Sequence, residues 1–234
     1  MYQVRYSRHT SSFEFAVNTS GYLQYVGDNI TYDNITYSRN INEGQLKIKM
    51  ECYSEHEIVP HVLDAPPPAI LKVEWNDDVK CMLGNELTPT QVQKQPSVLE
   101  WETEEDALYT ILFTDPDSPT RTDPNRVEVV HWLVFNIPGC DVSKGLVHAA
   151  YIESGPREGS GFHRYVYLIY KQSDPITPND SYRPRSPERR KPWNTRKFVE
   201  EYGLGAPIAG NFYIAQFDDY VTEFRAEMMA AGAK

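Results

Sequence analysis

The chain has 234 residues, of which 40% are hydrophobic and 24% are charged, a composition typical of a soluble globular protein. Its formal net charge is -10 at pH 7. This charge argues against nucleic acid as a partner, because general binding to DNA or RNA depends on neutralising phosphates. No apolar run reaches the roughly 20 residues that span a bilayer, so we expect at most peripheral contact with membranes.

The N-terminal region differs in composition from the rest of the chain. Residues 1–47 are rich in Asn, Tyr, Ser and Thr, and their three N-x-S/T sequons are interpreted as chance matches. No apolar segment of the secretory type follows Met1, and the three sparse cysteines predict reduced thiols. We therefore predict a cytoplasmic protein with an N-terminal extension over 1–47, expected to be mobile, and one folded domain over 48–234.

Short segments rich in Val, Ile, Tyr, Trp and Phe follow in the second region and predict β-strands. They lie at 71–75, 79–83, 109–113, 129–137 and 165–170. Because these segments are short and are separated by turns that contain Pro and Gly, they predict a mainly β fold, an antiparallel β-sandwich. Two short C-terminal helices are predicted over 197–202 and 218–229.

The segment 182–197 is strongly basic. It holds seven Lys and Arg residues against one acid, and its three prolines forbid a continuous helix. We interpret it as a solvated loop. The alternative is a docking segment for an acidic partner or an anionic membrane surface.

Two carboxylates directly follow the predicted strand 109–113. Asp115, Asp117 and Pro119 belong to the run D-P-D-S-P, in which prolines on either side of Asp117 stiffen a predicted turn. The turn would present both carboxylates to a ligand. Alternatively, the two acids only cap their own turn.

Two further segments supply imidazoles and glycines. His131 shares one side of its strand with apolar residues, a position usual for a core histidine. His163 and Tyr165 share one side of the next strand. The glycines between 155 and 161 permit close backbone approach, so that amides near Gly155 can converge on an anion.

Together, these groups suit a small oxyanion such as a phosphate ester. A nearby Asp would fix the tautomer of a neutral His, and we expect perturbed pKa values where these groups meet. No H-E-x-x-H or G-x-S-x-G motif occurs, and nothing marks a nucleophile, so we predict a protein that is not an enzyme and has no metal or cofactor. The alternative is a hydrolase or zinc enzyme that uses Asp115, His131 and His163.

Three motifs carry a resemblance to a known family. They are D-P-D-S-P at 115–119, V-V-H-W-L-V-F-N-I-P-G at 129–139 and G-S-G-F-H-R-Y at 159–165. From about Glu55 to Met228, the chain resembles the phosphatidylethanolamine-binding protein family, animal type. The resemblance implies a β-sandwich with an anion pocket at one end. The implied pocket residues are Asp115, His131, Gly155, His163 and Tyr165, with Pro119 shaping the wall.

Family members bind phosphoryl head groups, including phosphatidylethanolamine, and some inhibit serine proteases or bind kinases. The resemblance therefore implies a non-enzymatic phosphatidylethanolamine-binding or phosphate-ester-binding protein that regulates a kinase or serine protease partner. One alternative is a serine protease inhibitor that acts through a protein surface. Another is a structural component of a large assembly.

The chain departs from the family pattern at several positions. Val129 stands where animal members have a Trp beside the pocket, Glu153 replaces a Gly, and Arg225 replaces a Tyr that covers the pocket. Arg157 adds positive charge nearby. We expect these departures to change the ligand preference more than the fold.

Overall fold

The computed structural model describes residues 14–17, 23–27, 49, 51–76 and 78–232. The chain divides into two compact units, Met1–Glu55 and His56–Lys234, whereas the composition predicts a boundary after residue 47. In the first unit, β1 (Glu14–Val17) pairs antiparallel with β2 (Leu23–Gly27), and residues 51–55 are helical. The three sequons lie outside the described residues, and the mobility of the extension stays a prediction.

Most of the regular secondary structure described in the second unit is β-strand. They are β3 (Ala69–Ile70), β4 (Lys72–Asn76), β5 (Val79–Lys80), β6 (Asn85–Glu86), β7 (Val98–Glu100), β8 (Leu108–Ser118), β9 (Val127–Pro138), β10 (Leu146–Ala149), β11 (His163–Lys171) and β12 (Ala209–Ala215). The larger sheet has the order β10-β9-β8-β11-β12-β3, with β6 also paired to β12. The smaller sheet has the order β5-β4-β7.

The prediction of a mainly β fold is confirmed, and the long central strands are the ones that the sequence marks as apolar. The predicted strands β8, β9 and β11 pair antiparallel, as expected, and β11 also pairs antiparallel with β12, for which the sequence predicted no strand. The short edge strands β3 and β6 run parallel to β12, so the larger sheet is mixed. Within the described residues, no helix has the length and hydropathy needed to cross a membrane.

Aromatic side chains between the two sheets form the core of the second unit. Phe113 of β8 stacks on Tyr167 of β11, with ring centroids 4.0 Å apart. Trp75 of the smaller sheet meets Tyr167 and Tyr213 edge-on, at 6.3 and 5.8 Å. Such offset and edge-to-face contacts add to the free energy of burying these large rings.

Three α-helices complete the described part of the second unit, namely α1 (Ile58–His61), α2 (Thr195–Glu201) and α3 (Tyr220–Gly232). The two C-terminal helices are confirmed, with shifted ends. α2 begins earlier than predicted because the Asn194 side chain accepts the Lys197 N–H at 2.9 Å and caps the first turn. Phe224 of α3 packs on Ile152 in a small cluster of its own.

A buried ion pair joins β8 to β11 and to the segment around α1. Oδ1 of Asp117 lies 2.5 Å from Nη2 of Arg164, and both side chains are fully buried. The same guanidinium donates to the carbonyls of His56 and Glu57 and to Nδ1 of His61. Burial alone raises the pKa of the Asp117 carboxyl, but the hydrogen bonds and charge of Arg164 reverse this and lower it.

We expect Asp117→Ala to lower the free energy of unfolding by about 3–5 kcal/mol, because it leaves the buried Arg164 charge unpaired. Urea denaturation measures the change. The control is Lys72→Ala, which breaks the exposed ion pair with Glu100 and should cost less than about 1 kcal/mol. A loss as small as that of the control would contradict the structural role of the pair.

Candidate functional site

A cavity of about 250 Å³ lies at one end of the larger sheet, where β8, β9 and β11 meet other segments of the chain. Its lining includes six of the predicted site residues, namely Asp115, Pro119, His131, Gly155, His163 and Tyr165. The remaining walls come mainly from residues on either side of Gly155, such as Glu153 and Arg157, from the basic segment and from α3. Residues that are far apart in the sequence therefore meet around one small cavity.

Asp115 orients His163. Oδ2 of Asp115 accepts a hydrogen bond from Nδ1 of His163 at 2.9 Å, and Nε2 of the same ring lies 3.0 Å from Oγ of Ser160. Burial by itself lowers the pKa of His163, but the hydrogen bond and charge of Asp115 outweigh it, so the pKa is raised. Both nitrogens of His163 are thus engaged within the protein.

His131 has a different environment. Its Nδ1 lies 2.9 Å from the carbonyl oxygen of Ile152. The ring sits between Phe113 and Tyr165, at centroid distances of 5.3 and 5.4 Å. Burial lowers the pKa of His131, although the charge of Asp115 opposes the shift. The expected perturbation of both imidazoles is therefore present, with opposite signs.

Gly155 and Tyr165 shape the wall beneath α3. A Cβ atom on Gly155 would lie only 2.4 Å from Cε1 of Phe224, so a residue without a side chain is needed where the helix approaches. Nη1 of Arg225 donates to the Gly155 carbonyl at 3.2 Å. Tyr165 is 1% exposed, and burial raises the pKa of its phenol.

The structure does not bring Asp117 to the cavity. β8 continues through the segment predicted as a turn, and its register against β9 shifts between Asp115 and Ser118. Because of this irregularity, Asp115 bonds to His163 while Asp117 bonds to the next residue, Arg164. The two carboxylates of the motif therefore have separate partners.

The basic segment contributes cavity residues that the sequence did not single out. Lys191 and Arg190 both line the cavity. Arg190 is 2% exposed, and its guanidinium donates to backbone carbonyls that include those of Val130 and His131. Burial lowers its pKa to about 10. The segment is therefore not solvated throughout. Its excess of basic residues was the one feature of the sequence that could have indicated cations at the cavity.

Glu153 also lines the cavity, and its charge is compensated inside the protein. It is 1% exposed, and its Oε1 lies 2.5 Å from Nη2 of Arg185 and accepts the Tyr220 hydroxyl at 2.7 Å. In the described part of the chain, no group of three or more His, Cys, Asp or Glu side chains is placed to hold a metal ion.

Comparison with known proteins agrees with the fold. The family model named phosphatidylethanolamine-binding protein matches residues 78–213. A putative odorant-binding protein A5 of Drosophila melanogaster is 34% identical over 170 residues, which are 72% of this chain and 80% of that protein. A 26 kDa secreted antigen of Toxocara canis is 36% identical over 68% of this chain, which spans only 61% of the antigen.

Solved structures show the same fold. The solution structure of CG7054 is 43% identical, has a TM-score of 0.60 and is matched over 73% of this chain and 97% of its own. The crystal structure of carboxypeptidase Y inhibitor complexed with its cognate proteinase is 23% identical, with a TM-score of 0.63 over 74% of this chain and 96% of that chain.

The strands and the cavity at their end define a β-sandwich protein with a small pocket lined by apolar residues and by several charged ones. The family match and the identity to its relatives make the assignment specific. The chain belongs to the phosphatidylethanolamine-binding protein family.

We expect Gly155→Ala to destabilise the protein by about 1–3 kcal/mol, because the new methyl group overlaps the Phe224 ring. Urea denaturation of Gly155→Ala, Phe224→Leu and the double variant completes a double-mutant cycle. The smaller Leu should relieve part of the overlap, so the double variant should lose less stability than the sum of the single losses. Additive losses would contradict the contact.

Proposed function

We propose that the chain is a non-enzymatic binding protein for a phosphate ester, with the cavity as its site. The observation that carries the proposal is the charge of the cavity lining. Arg157 and Lys191 are exposed, line the cavity and have no ion-pair partner among the described residues. The chain as a whole has a net charge of -10, so these free cations are a local feature.

The acids of the lining do not cancel this positive charge. Asp115 is bonded to His163, and Glu153 is bonded to Arg185. Arg157, Lys191 and Arg225 therefore supply the charged donors for an incoming anion, and each charge-assisted hydrogen bond contributes about 1.5–3 kcal/mol. A cavity of about 250 Å³ fits a phosphoryl head group and leaves any acyl chain outside.

The absence of catalysis is part of the proposal. The relatives named above are described as a binding protein, an antigen and an inhibitor. Both ring nitrogens of His163 are bonded within the protein, and Asp115 accepts from His163 and from the Asp117 amide. These groups orient one another, and this arrangement suits binding.

We expect Lys191→Ala and Arg157→Ala each to weaken the binding of methyl phosphate about tenfold, because each removes a charge from the cavity, and tenfold corresponds to about 1.4 kcal/mol. Isothermal titration calorimetry of the full chain at low salt measures the affinity. Lys197→Ala is the matched control, since Lys197 is an exposed residue of the same basic segment that does not line the cavity.

The proposal fails if the wild-type chain binds no phosphate ester. It also fails if Lys191→Ala and Arg157→Ala bind as tightly as the Lys197→Ala control. Circular dichroism of the variants should match the wild type, because both lysines and Arg157 are exposed.

Inhibition of a protease is the second candidate. One family member with this fold is an inhibitor bound to its cognate proteinase, at an identity that supports the fold alone. For this chain, a serine protease or kinase partner stays a prediction of the sequence resemblance. We expect titration of a panel of serine proteases with the full chain to reveal loss of activity with at least one of them. No loss with any protease would remove this candidate.

A further inference from the structure

The two imidazoles of the cavity differ in what their ring nitrogens can offer a ligand. His163 uses both nitrogens within the protein, one on Asp115 and one on Ser160. His131 uses only Nδ1, on the carbonyl of Ile152. Across the described part of the chain, Nε2 of His131 has no hydrogen-bond partner, and the residue lines the cavity. His131 is therefore the imidazole with a nitrogen free for a ligand.

The contact with Ile152 fixes the tautomer of His131. A carbonyl oxygen has only lone pairs, so the nitrogen 2.9 Å from it must carry a hydrogen. In the neutral ring, the other nitrogen then has no hydrogen. Nε2 of neutral His131 is consequently a hydrogen-bond acceptor and cannot donate to an oxyanion.

The surroundings of His131 keep the ring neutral. His131 is 7% exposed, and its ring lies against the Phe113 ring. The charged or titratable groups that act on the ring are Asp115 of β8, His163 of β11 and Arg190 of the basic segment, and Tyr165 of β11 meets the ring edge-on. Asp115 is the one acid among them, and its carboxylate is already bonded to His163. Burial lowers the pKa of His131, which agrees with this geometry.

A ligand oxygen that approaches Nε2 must therefore bring its own proton. A phosphate monoester can do so, because its second ionisation lies near pH 6 and its monoanion carries a P–OH group. A phosphate diester has no such hydrogen, so its oxygen would face the lone pair of Nε2 unless His131 became charged. The cations that line the cavity can bind the remaining oxygens of either ligand.

We propose that the cavity selects phosphate monoesters over diesters, with Nε2 of His131 accepting a hydrogen bond from the P–OH group of the ligand. The selection rests on the proposed function and specifies its ligand class. No covalent bond is formed or broken, and one proton is held between the ligand oxygen and Nε2. The favoured ligand is thus a free phosphorylated small molecule, and the diester linkage of an intact phospholipid is disfavoured.

The test compares methyl phosphate, methylphosphonate and dimethyl phosphate by calorimetry of the full chain between pH 5.5 and 8.5. We expect methyl phosphate to bind at least tenfold more tightly than dimethyl phosphate at neutral pH. The affinities of methyl phosphate and methylphosphonate, which both carry a P–OH group as monoanions, should each fall as the pH rises through the second pKa of that ligand. Methylphosphonate has the higher second pKa, so its affinity should persist to higher pH.

This comparison distinguishes two origins of the pH dependence. If the proton comes with the ligand, the midpoint of the affinity change differs between the two ligands, whereas titration of a protein group would give the same midpoint for both. His131→Phe removes the acceptor nitrogen without supplying another acceptor atom, and it should flatten the pH dependence without a loss of cavity charge. The inference is overturned if dianionic methyl phosphate binds as tightly as the monoanion, or if both midpoints coincide. If no phosphate ester binds at any pH, the proposed function itself fails.

Discussion

The buried pair of Asp117 and Arg164 determines how β8 ends, and the cavity depends on that ending. Asp115 and Asp117 are two residues apart, so in a regular strand their side chains would point to the same side. The register shift in β8 directs them instead to His163 and Arg164, which are consecutive residues on opposite sides of β11. Asp117 thereby holds the end of β8 against β11 through Arg164, while Asp115 orients the imidazole of His163 at the cavity.

The ion pair of Asp117 and Arg164 also affects segments outside β8 and β11. Because Arg164 also donates to His56, Glu57 and His61, it attaches the start of the second unit to the end of the sheet. The hydrogen bonds of Arg164 compensate for the free-energy cost of removing its guanidinium from water. Without them, the buried charge would destabilise the fold. The position of Asp115, and through it the orientation of His163, therefore depends on an ion pair that does not line the cavity.

The sequence predicted most of the fold and most of the cavity. Strands with continuous apolar residues were recognisable, and the motifs around Asp115, His131 and His163 brought the right residues together. The separation of Asp117 from the cavity was not predictable, because alternation along a strand fails at an irregularity that only the pairing with β9 creates. The parallel pairing of the edge strands β3 and β6 was also not predictable, since the direction of strand pairing depends on residues far away in the sequence.

The individual roles of the residues in the basic segment were also not predictable from the sequence. Its composition indicated a charged loop, but composition cannot distinguish Arg190, which is buried against backbone carbonyls, from Lys191, which is exposed at the cavity. That distinction depends on which backbone carbonyls lie within reach of each side chain once the chain has folded. A guanidinium can satisfy several such carbonyls at once, whereas the compact ammonium of a lysine has no planar array of donors.

Glu153 and Arg225 act together on α3. An acid at position 153 adds a buried charge to the cavity wall, and this charge is tolerable because Arg185 of the basic segment and Tyr220 of α3 both bond to it. Arg225 then ties the same helix to the Gly155 carbonyl. Glu153 and Arg225 thus anchor α3 against the wall from two positions, at a glycine that allows Phe224 to approach. Two charged residues that appear unrelated in the sequence therefore both hold this helix against the cavity wall.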